Sequence, residues 1–167
     1  ELTLNNTQES ILDSGSTGGS YGKIQFLDTN VTVNSGITVA GTQTGQVAAA
    51  QKNKIGGILA VRHITNNGII SLSGNQSTGI AGDYITIKNT ATGEINIGID
   101  SVGIYTANGS EAVNEGKITL REGSVGIYGR NYFDGTTNSG LLGYGTDKIN
   151  IKNEKNIETI SGVVTGS

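Results

Sequence analysis

An internal repeat is the feature that most restricts how this chain of 167 residues can fold. The stretch Gly93–Tyr105 is repeated as Gly116–Tyr128, and the two copies align without insertion or deletion. A looser copy begins upstream at Gly68 and closes at Ile80. Repeats this short bury their apolar residues only by stacking on neighbouring copies, so the repeat favours one continuous stack of short units.

Apolar and polar residues alternate within each copy, which predicts β-strands. The apolar positions of the first half are Ile95, Ile97, Ile118 and Leu120. This period of two is typical of a strand with one buried face. A second alternation follows after a small turn, and it predicts that Val102 and Ile104 face inward together with their counterparts Val125 and Ile127.

Short strands separated by glycine-containing turns, two or three in every copy, indicate the coils of a parallel β-helix. We expect Ile95 to stack on Ile118, and Val102 on Val125, inside this stack of coils. The chain would form an all-β, single-stranded parallel β-helix (solenoid) of about seven coils, with roughly 4.8 Å between successive coils.

The pattern runs through the whole chain, so we predict a single β-helix segment over residues 1–167. Its regular coils span 64–128, with an additional strand expected at 84–87 inside one coil. A glycine-rich run over 129–147 is predicted to be a surface insertion. Residues 45–62 follow the repeat least well. They predict a short surface helix or a loop and then a strand near Ile58, and no role is assigned to them.

Composition excludes several classes of function. Proline, cysteine, methionine and tryptophan are absent while glycine occurs 27 times, which fits strands that are paired on both sides and joined by tight turns. The net charge is −3 without any basic stripe, which argues against binding to nucleic acid. No apolar stretch approaches the length of a membrane helix. We expect no cofactor and no metal, and the start without methionine suggests a piece of a longer protein.

Candidate catalytic residues are sparse, and we expect a protein that is not an enzyme. The acidic residues of the regular coils are Asp83, Glu94, Asp100, Glu115 and Glu122. Their offsets within the repeat differ, so stacking is not expected to bring them together as an acid–base pair. Glu94 and Lys117 share an offset and predict an ion pair between coils. His63, the only histidine, is interpreted as a surface or capping residue.

Aromatic and basic residues provide the candidate contacts with a ligand. Tyr, Phe and Arg are common anchors at interfaces, and loops on a regular scaffold often carry recognition. The candidate ligand-binding residues are Arg130, Tyr132, Phe133 and Tyr144 in the insertion, and Tyr105 and Tyr128 on the outward side of the second strand. In the alternative interpretation, the two stacked tyrosines only stabilise a sheet face, and the apolar residues of the insertion pack back on the rod.

The element Ser-Val-Gly-Ile-Tyr, at 101–105 and 124–128, follows Asn-Glu-Gly-Lys-Ile-Thr-Leu at 114–120 in its second copy. With these elements the chain resembles the passenger domains of bacterial autotransporters (type V secretion), particularly the large fusobacterial outer-membrane adhesins. The likeness is closest over 66–128. It implies a right-handed β-helical stalk on the bacterial cell surface, exported and held in the outer membrane by a C-terminal barrel that this sequence does not contain.

The resemblance implies a non-enzymatic adhesin segment whose partner is a protein or a glycan on host or bacterial cells. Unpaired strands at the ends of the rod also predict end-to-end self-association. Two alternatives stay open. A carbohydrate-active β-helix enzyme, such as a polysaccharide lyase or a glycosidase, would need a groove with convergent carboxylates. A pure structural spacer would need no site at all.

Overall fold

A computed structural model describes residues 2–4, 8–9, 24–27, 29–41, 56–60, 62–130, 149–155 and 157–159. Every regular element in these ranges is a β-strand, and none is a helix. The chain is therefore all-β in its described part, as its alternating pattern predicts. The helix or loop predicted near 46–52 and most of the insertion lie outside the described residues.

Seventeen described strands, numbered β1 to β17 along the chain, form three parallel sheets that successive strands enter in turn. The first sheet contains β1 (Leu2–Leu4), β4 (Val31–Val33), β7 (Ile64–Asn66), β10 (Thr86–Asn89), β13 (Glu111–Asn114) and β16 (Asn150–Asn153). The second contains β2 (Gln8–Glu9), β5 (Thr38–Gly41), β8 (Ile69–Leu72), β11 (Glu94–Asn96), β14 (Lys117–Leu120) and β17 (Ile157–Thr159). The third contains β3 (Ile24–Leu27), β6 (Gly56–Ala60), β9 (Thr78–Asp83), β12 (Val102–Ala107) and β15 (Val125–Arg130).

From β4 onward, each strand pairs in parallel with the strand three places before it in the chain. Three successive strands therefore make one structural repeat, here called a triplet. The register matches the sequence repeat. Ile95 lies opposite Ile118, and Val102 lies opposite Val125. The predicted stacking of both pairs is confirmed, and Ile80 of the looser copy lies opposite Ile104 as well.

Aliphatic side chains from all three sheets meet in one core. Each sheet contributes a column of residues that lie in register on successive strands. These columns are Ile64, Ile87 and Ala112 in the first sheet, Ile70, Ile95 and Ile118 in the second, and Ile58, Ile80 and Ile104 in the third. All nine side chains are at most 1% exposed. Since burial contributes about 1.5–3 kcal/mol for each large aliphatic side chain, these columns are the main source of stability.

The third sheet departs from the predicted alternation. Val102 and Val125 stack as predicted, but both are half-buried and lie outside the core, so their predicted inward position is wrong. Gly103 and Ile104 are consecutive and both buried, which shifts the alternation by one residue. Ser101 is turned inward on the other side of Val102, where it forms hydrogen bonds. The core position therefore goes to Ile104.

Gly103 is buried because the backbone of the next triplet approaches it closely. A β-carbon at this position would lie 2.6 Å from the carbonyl oxygen of Gly126 and 3.1 Å from Cγ2 of Ile118. Only a residue without a side chain fits there without displacing the neighbouring strand. The glycine of the Ser-Val-Gly-Ile element is thus required sterically where the alternation of buried and exposed residues shifts by one.

A row of buried asparagine amides runs along the inner edge of the first sheet. Asn66 Nδ2 donates a hydrogen bond to Asn89 Oδ1 at 2.8 Å. Asn89 Nδ2 donates to Asn114 Oδ1, and Asn114 Nδ2 donates to Asn153 Oδ1, each at 2.7 Å. Asn66, Asn89 and Asn114 have no exposed surface. In the triplet before Asn66 the same register position holds Val33, so the amide row begins at Asn66.

The same amides also bind the backbone of the turn that leads to the second sheet. Asn66 Nδ2 lies 3.2 Å from the carbonyl oxygen of Glu94, and Asn89 Nδ2 lies 3.4 Å from that of Gly93. The Asn66 Oδ1 atom accepts a hydrogen bond from the Gly68 amide. The amide row therefore satisfies buried backbone groups that would otherwise destabilise the turn.

Buried serines perform a similar role at the turn between the second and third sheets. The Ser77 amide donates to Ser101 Oγ at 2.9 Å, and the Ser101 amide donates to Ser124 Oγ at 3.0 Å. Ser77 Oγ and Ser101 Oγ in turn donate to the carbonyl oxygens of Gly74 and Ile99. The serine of the repeated Ser-Val-Gly-Ile-Tyr element is thus a link between triplets.

Two strands differ from their predicted bounds. The strand predicted at 84–87 is β10, which begins at Thr86 because Tyr84 adopts a φ of 55° in the preceding turn. It belongs to the first sheet like its counterparts, so it is not an additional strand within a repeat. Gly129 and Arg130, assigned to the insertion, are the last residues of β15 and lie opposite Thr106 and Ala107.

Thr106 carries a buried hydroxyl group for which the described residues provide no hydrogen-bond partner. Its side chain has no exposed surface. The residues in register with it on both neighbouring strands are glycines, Gly82 and Gly129. A buried hydroxyl without a partner costs stability compared with a methyl group of the same shape.

We predict that Asn89→Asp lowers the free energy of unfolding by at least about 2 kcal/mol. A carboxylate at this position can accept from Asn66 Nδ2 but cannot donate to Asn114 Oδ1. Chemical denaturation measures the loss, which should shrink at acidic pH, where the introduced carboxyl group is protonated and becomes a donor. Asn96→Asp, on the outer face of the second sheet, is the matched control. Equal losses in both variants would contradict a stabilising role of the amide row.

Thr106→Val should raise the free energy of unfolding by about 1 kcal/mol, since it removes the unpaired hydroxyl and keeps the shape. Thr119→Val, whose hydroxyl lies on the outer face, should change it by less than about 0.5 kcal/mol. Thermal or urea unfolding of both variants measures the difference. A destabilised Thr106→Val protein would mean that this hydroxyl has a partner.

Candidate functional site

The outer face of the second sheet carries a cleft of about 260 Å³. Its lining residues are Ser71, Leu72, Ser73, Asn96, Ile97, Thr119 and Arg121. Ser71, Asn96 and Thr119 lie in register on β8, β11 and β14, so their side chains form one row across the sheet. The spacing between hydrogen-bonded strands sets adjacent members of this row roughly 4.8 Å apart.

Beyond this row, each triplet carries a different residue at the edge of the cleft. Two residues beyond the row, the three successive triplets carry Ser73, Gly98 and Arg121. A β-carbon on Gly98 would lie 2.2 Å from the carbonyl oxygen of Gly74, so the backbones of these two triplets touch there. Gly98 is therefore packed against the backbone of Gly74, and Arg121 is the charged residue that lines the cleft.

Of the two basic residues near the cleft, Lys117 forms an ion pair and Arg121 forms none with the described residues. Lys117 Nζ lies 2.9 Å from Glu158 Oε2, so the ion pair predicted between Lys117 and Glu94 is formed with Glu158 instead, although Glu94 does lie in register with Lys117. The hydrogen bond and the charge of Glu158 raise the pKa of Lys117 above its usual value. Arg121 is exposed, and its guanidinium forms no ion pair with a carboxylate of the described residues.

The outer face of the third sheet carries the two predicted tyrosines. The rings of Tyr105 and Tyr128 lie 5.7 Å apart between centroids and are tilted by 32°. Their predicted proximity is confirmed. Tyr128 is 41% exposed and Tyr105 is half-buried, and the half-buried Val102 and Val125 lie three residues before them on the same strands. The pair thus forms part of a mixed aromatic and aliphatic surface.

The remaining candidate contacts are only partly described. Arg130 is exposed at the end of β15, two residues after Tyr128, so the third sheet brings these two residues close together. Tyr132, Phe133 and Tyr144 lie outside the described residues. Their assignment to a ligand-binding loop stays a prediction.

His63 is exposed, as predicted for a surface or capping residue. Its Nδ1 atom accepts a hydrogen bond of 2.9 Å from the Thr86 amide, at the start of β10. Its own amide donates to Asn30 Oδ1, and its carbonyl oxygen accepts from the Val31 amide. Three consecutive strands of the first sheet are therefore linked through this residue, which lies where these strands begin.

The acidic residues form no candidate metal site in the described part of the chain. No group of three or more histidine, cysteine, aspartate or glutamate side chains there is arranged to hold a metal ion. Two further ion pairs are Lys88 with Glu115 at 2.8 Å and Lys152 with Glu154 at 2.5 Å. The hydrogen bond from Lys152 lowers the pKa of Glu154. The described residues also contain no helix able to span a bilayer.

Comparisons with protein-family models, with curated proteins and with solved structures give no match to this chain. The geometry of the outer faces is therefore the basis for any assignment of function.

The cleft on the second sheet was not predicted from the sequence. Its row of polar side chains does follow the repeat, at Ser71, Asn96 and Thr119. The signal that would have revealed it is the combination of this polar column with Arg121, two residues after Thr119. Neither feature stands out until the register of the triplets is known.

We predict that Tyr105 and Tyr128 stabilise each other by about 0.2–1 kcal/mol, the range for cross-strand aromatic pairs. A double-mutant cycle with Tyr105→Ala and Tyr128→Ala, followed by urea unfolding, measures this coupling. The same cycle with Tyr128→Ala and Thr65→Ala, on the first sheet, should be additive within about 0.5 kcal/mol. Zero coupling would mean that the two rings do not stabilise each other.

Proposed function

We propose that the triplets are coils of a right-handed, single-stranded parallel β-helix. Support comes from the order of the strands, because each enters the three sheets in the same sequence and pairs three places back. Right-handedness is proposed because connections between parallel strands of one sheet are right-handed in about 98% of cases. In this arrangement the chain is a rod with three long outer faces.

We infer that the rod is a non-enzymatic segment of a bacterial cell-surface adhesin, the passenger of a type V autotransporter. The observation that carries this proposal is the register of the repeat. Polar and aromatic residues of successive coils form continuous rows on the outer faces, as in the pair Tyr105 and Tyr128. The resemblance of residues 66–128 to fusobacterial adhesin passengers points to the same role. The partner is a protein or glycan on another bacterium or a host cell.

Attachment of coated beads to cells tests this proposal. Beads carrying the chain should bind to bacterial or epithelial cells above the level of uncoated beads. The double variant Tyr128→Ser, Arg130→Gln should weaken attachment at least about fivefold if this surface contains an interface hot spot. The double variant Thr65→Ser, Lys88→Gln on the first sheet is the matched control.

Beads that bind no better than uncoated ones to any cell type would contradict adhesion and favour a structural spacer. Release of reducing ends or unsaturated sugars from polysaccharides by the chain would contradict the non-enzymatic assignment. Attachment that is unchanged in the Tyr128 and Arg130 variant would move the contact to another face of the rod.

A further inference from the structure

The cleft on the second sheet carries a row of polar side chains that complements the hydroxyl groups of a sugar. Ser71, Asn96 and Thr119 provide hydroxyl and amide groups, each of which can both donate and accept hydrogen bonds. Leu72 and Ile97 also line the cleft, but their side chains are almost fully buried in the core, so the polar row provides the contacts with a ligand. The volume of about 260 Å³ lies below the range of about 300–1,000 Å³ for drug-sized ligands, so it suits one or two small rings.

The positive charge of Arg121 at one end of the cleft indicates that the ligand carries a negative group. Arg121 lines the cleft, and its planar guanidinium can bind a carboxylate through two parallel hydrogen bonds. Glu158 lies in register with Thr119 at the border of the row, but it is bound to Lys117 at 2.9 Å. Asp100 and Glu122 are exposed in the neighbouring turns and form no ion pair with Arg121. Within the described residues, the cleft therefore offers neutral hydrogen-bonding groups along its length and a cation without a carboxylate partner at its end.

We propose that this cleft binds a carboxylate-bearing sugar, with the sugar hydroxyls on the row of Ser71, Asn96 and Thr119 and the carboxylate on Arg121. The guanidinium of Arg121 is exposed, so a carboxylate can reach it from the solvent. This inference rests on the proposed adhesive function, for which it names the chemical class of the ligand. The site is separate from the tyrosine surface, which lies on the third sheet.

Titration of the chain with three small probes tests the recognition of both groups. Glucuronate carries hydroxyls and a carboxylate, glucose carries only hydroxyls, and acetate carries only a carboxylate. Glucuronate should bind with a dissociation constant on the order of 1 mM, and the other two at least about tenfold more weakly. In ¹H–¹⁵N NMR spectra the shifted amides should be those of the cleft, including Gly98 and Thr119. Binding of acetate as tight as that of glucuronate, or shifts confined to another face, would overturn the proposal.

Variants of Arg121 and of control residues provide a second test of binding in the cleft. Arg121→Gln should weaken glucuronate binding at least about tenfold, because it removes a charge-assisted hydrogen bond. Arg62→Gln, which removes another exposed arginine just before β7, should leave the binding unchanged. Asn96→Ala should weaken the binding of glucuronate as well. Circular dichroism confirms that each variant is folded, and equal binding by all of them would overturn the assignment.

Different experimental results would contradict the proposal for the cleft and the proposal of adhesion. If coated beads attach to cells and Arg121→Gln changes neither attachment nor glucuronate binding, the proposal for the cleft is wrong and adhesion stands. If glucuronate binds in an Arg121-dependent manner while beads attach to no cell, the cleft stands and adhesion is wrong.

Discussion

Register between successive triplets is the constraint on which the rest of this structure depends. Parallel strands pair three places apart in the chain, so each residue lies beside its counterpart from the previous copy. A shift of one residue would turn Ile95 outward and Glu94 inward, because the faces of a strand alternate with a period of two. The core columns, the amide row and the outer rows all follow from this single alignment.

Polar side chains define this alignment as much as apolar ones do. An aliphatic column tolerates small displacements, whereas Asn89 can bond to both Asn66 and Asn114 only when the three strands are aligned. The serines at the turn before the third sheet impose the same condition through Ser77, Ser101 and Ser124. Buried polar groups of this kind contribute to a unique arrangement, because any slip would leave them unpaired in the interior.

Much of the fold followed from the sequence because the repeat translates directly into contacts. The pairing of Ile95 with Ile118 and of Tyr105 with Tyr128 needed only the constant shift between the two copies. The inward position predicted for Val102 was wrong because simple alternation takes no account of two adjacent buried residues, here Gly103 and Ile104. The buried role of the asparagines also escaped the pattern. Their spacing lengthens to 39 residues between Asn114 and Asn153, and asparagine is usually read as a turn residue.

The candidate site, too, could be predicted from the sequence only in part. Exposed aromatic residues can be recognised in the sequence by type, and Tyr128 is indeed exposed. The cleft beside Arg121 depends on Ser71, Asn96 and Thr119 from three different triplets, so it emerges only from the assembled sheet. Likewise, the choice of Glu158 over Glu94 as the partner of Lys117 is decided by side-chain geometry between strands.

The amide row has a polarity. Each asparagine donates toward the later triplet, from Asn66 through Asn89 and Asn114 to Asn153, while the earlier neighbour in register is a valine. Aligned carboxamide dipoles reinforce one another, so each added member is bound more firmly than an isolated amide would be. Each asparagine in place therefore selects an oxygen acceptor at the matching position of the next strand and an amide donor at that of the preceding strand.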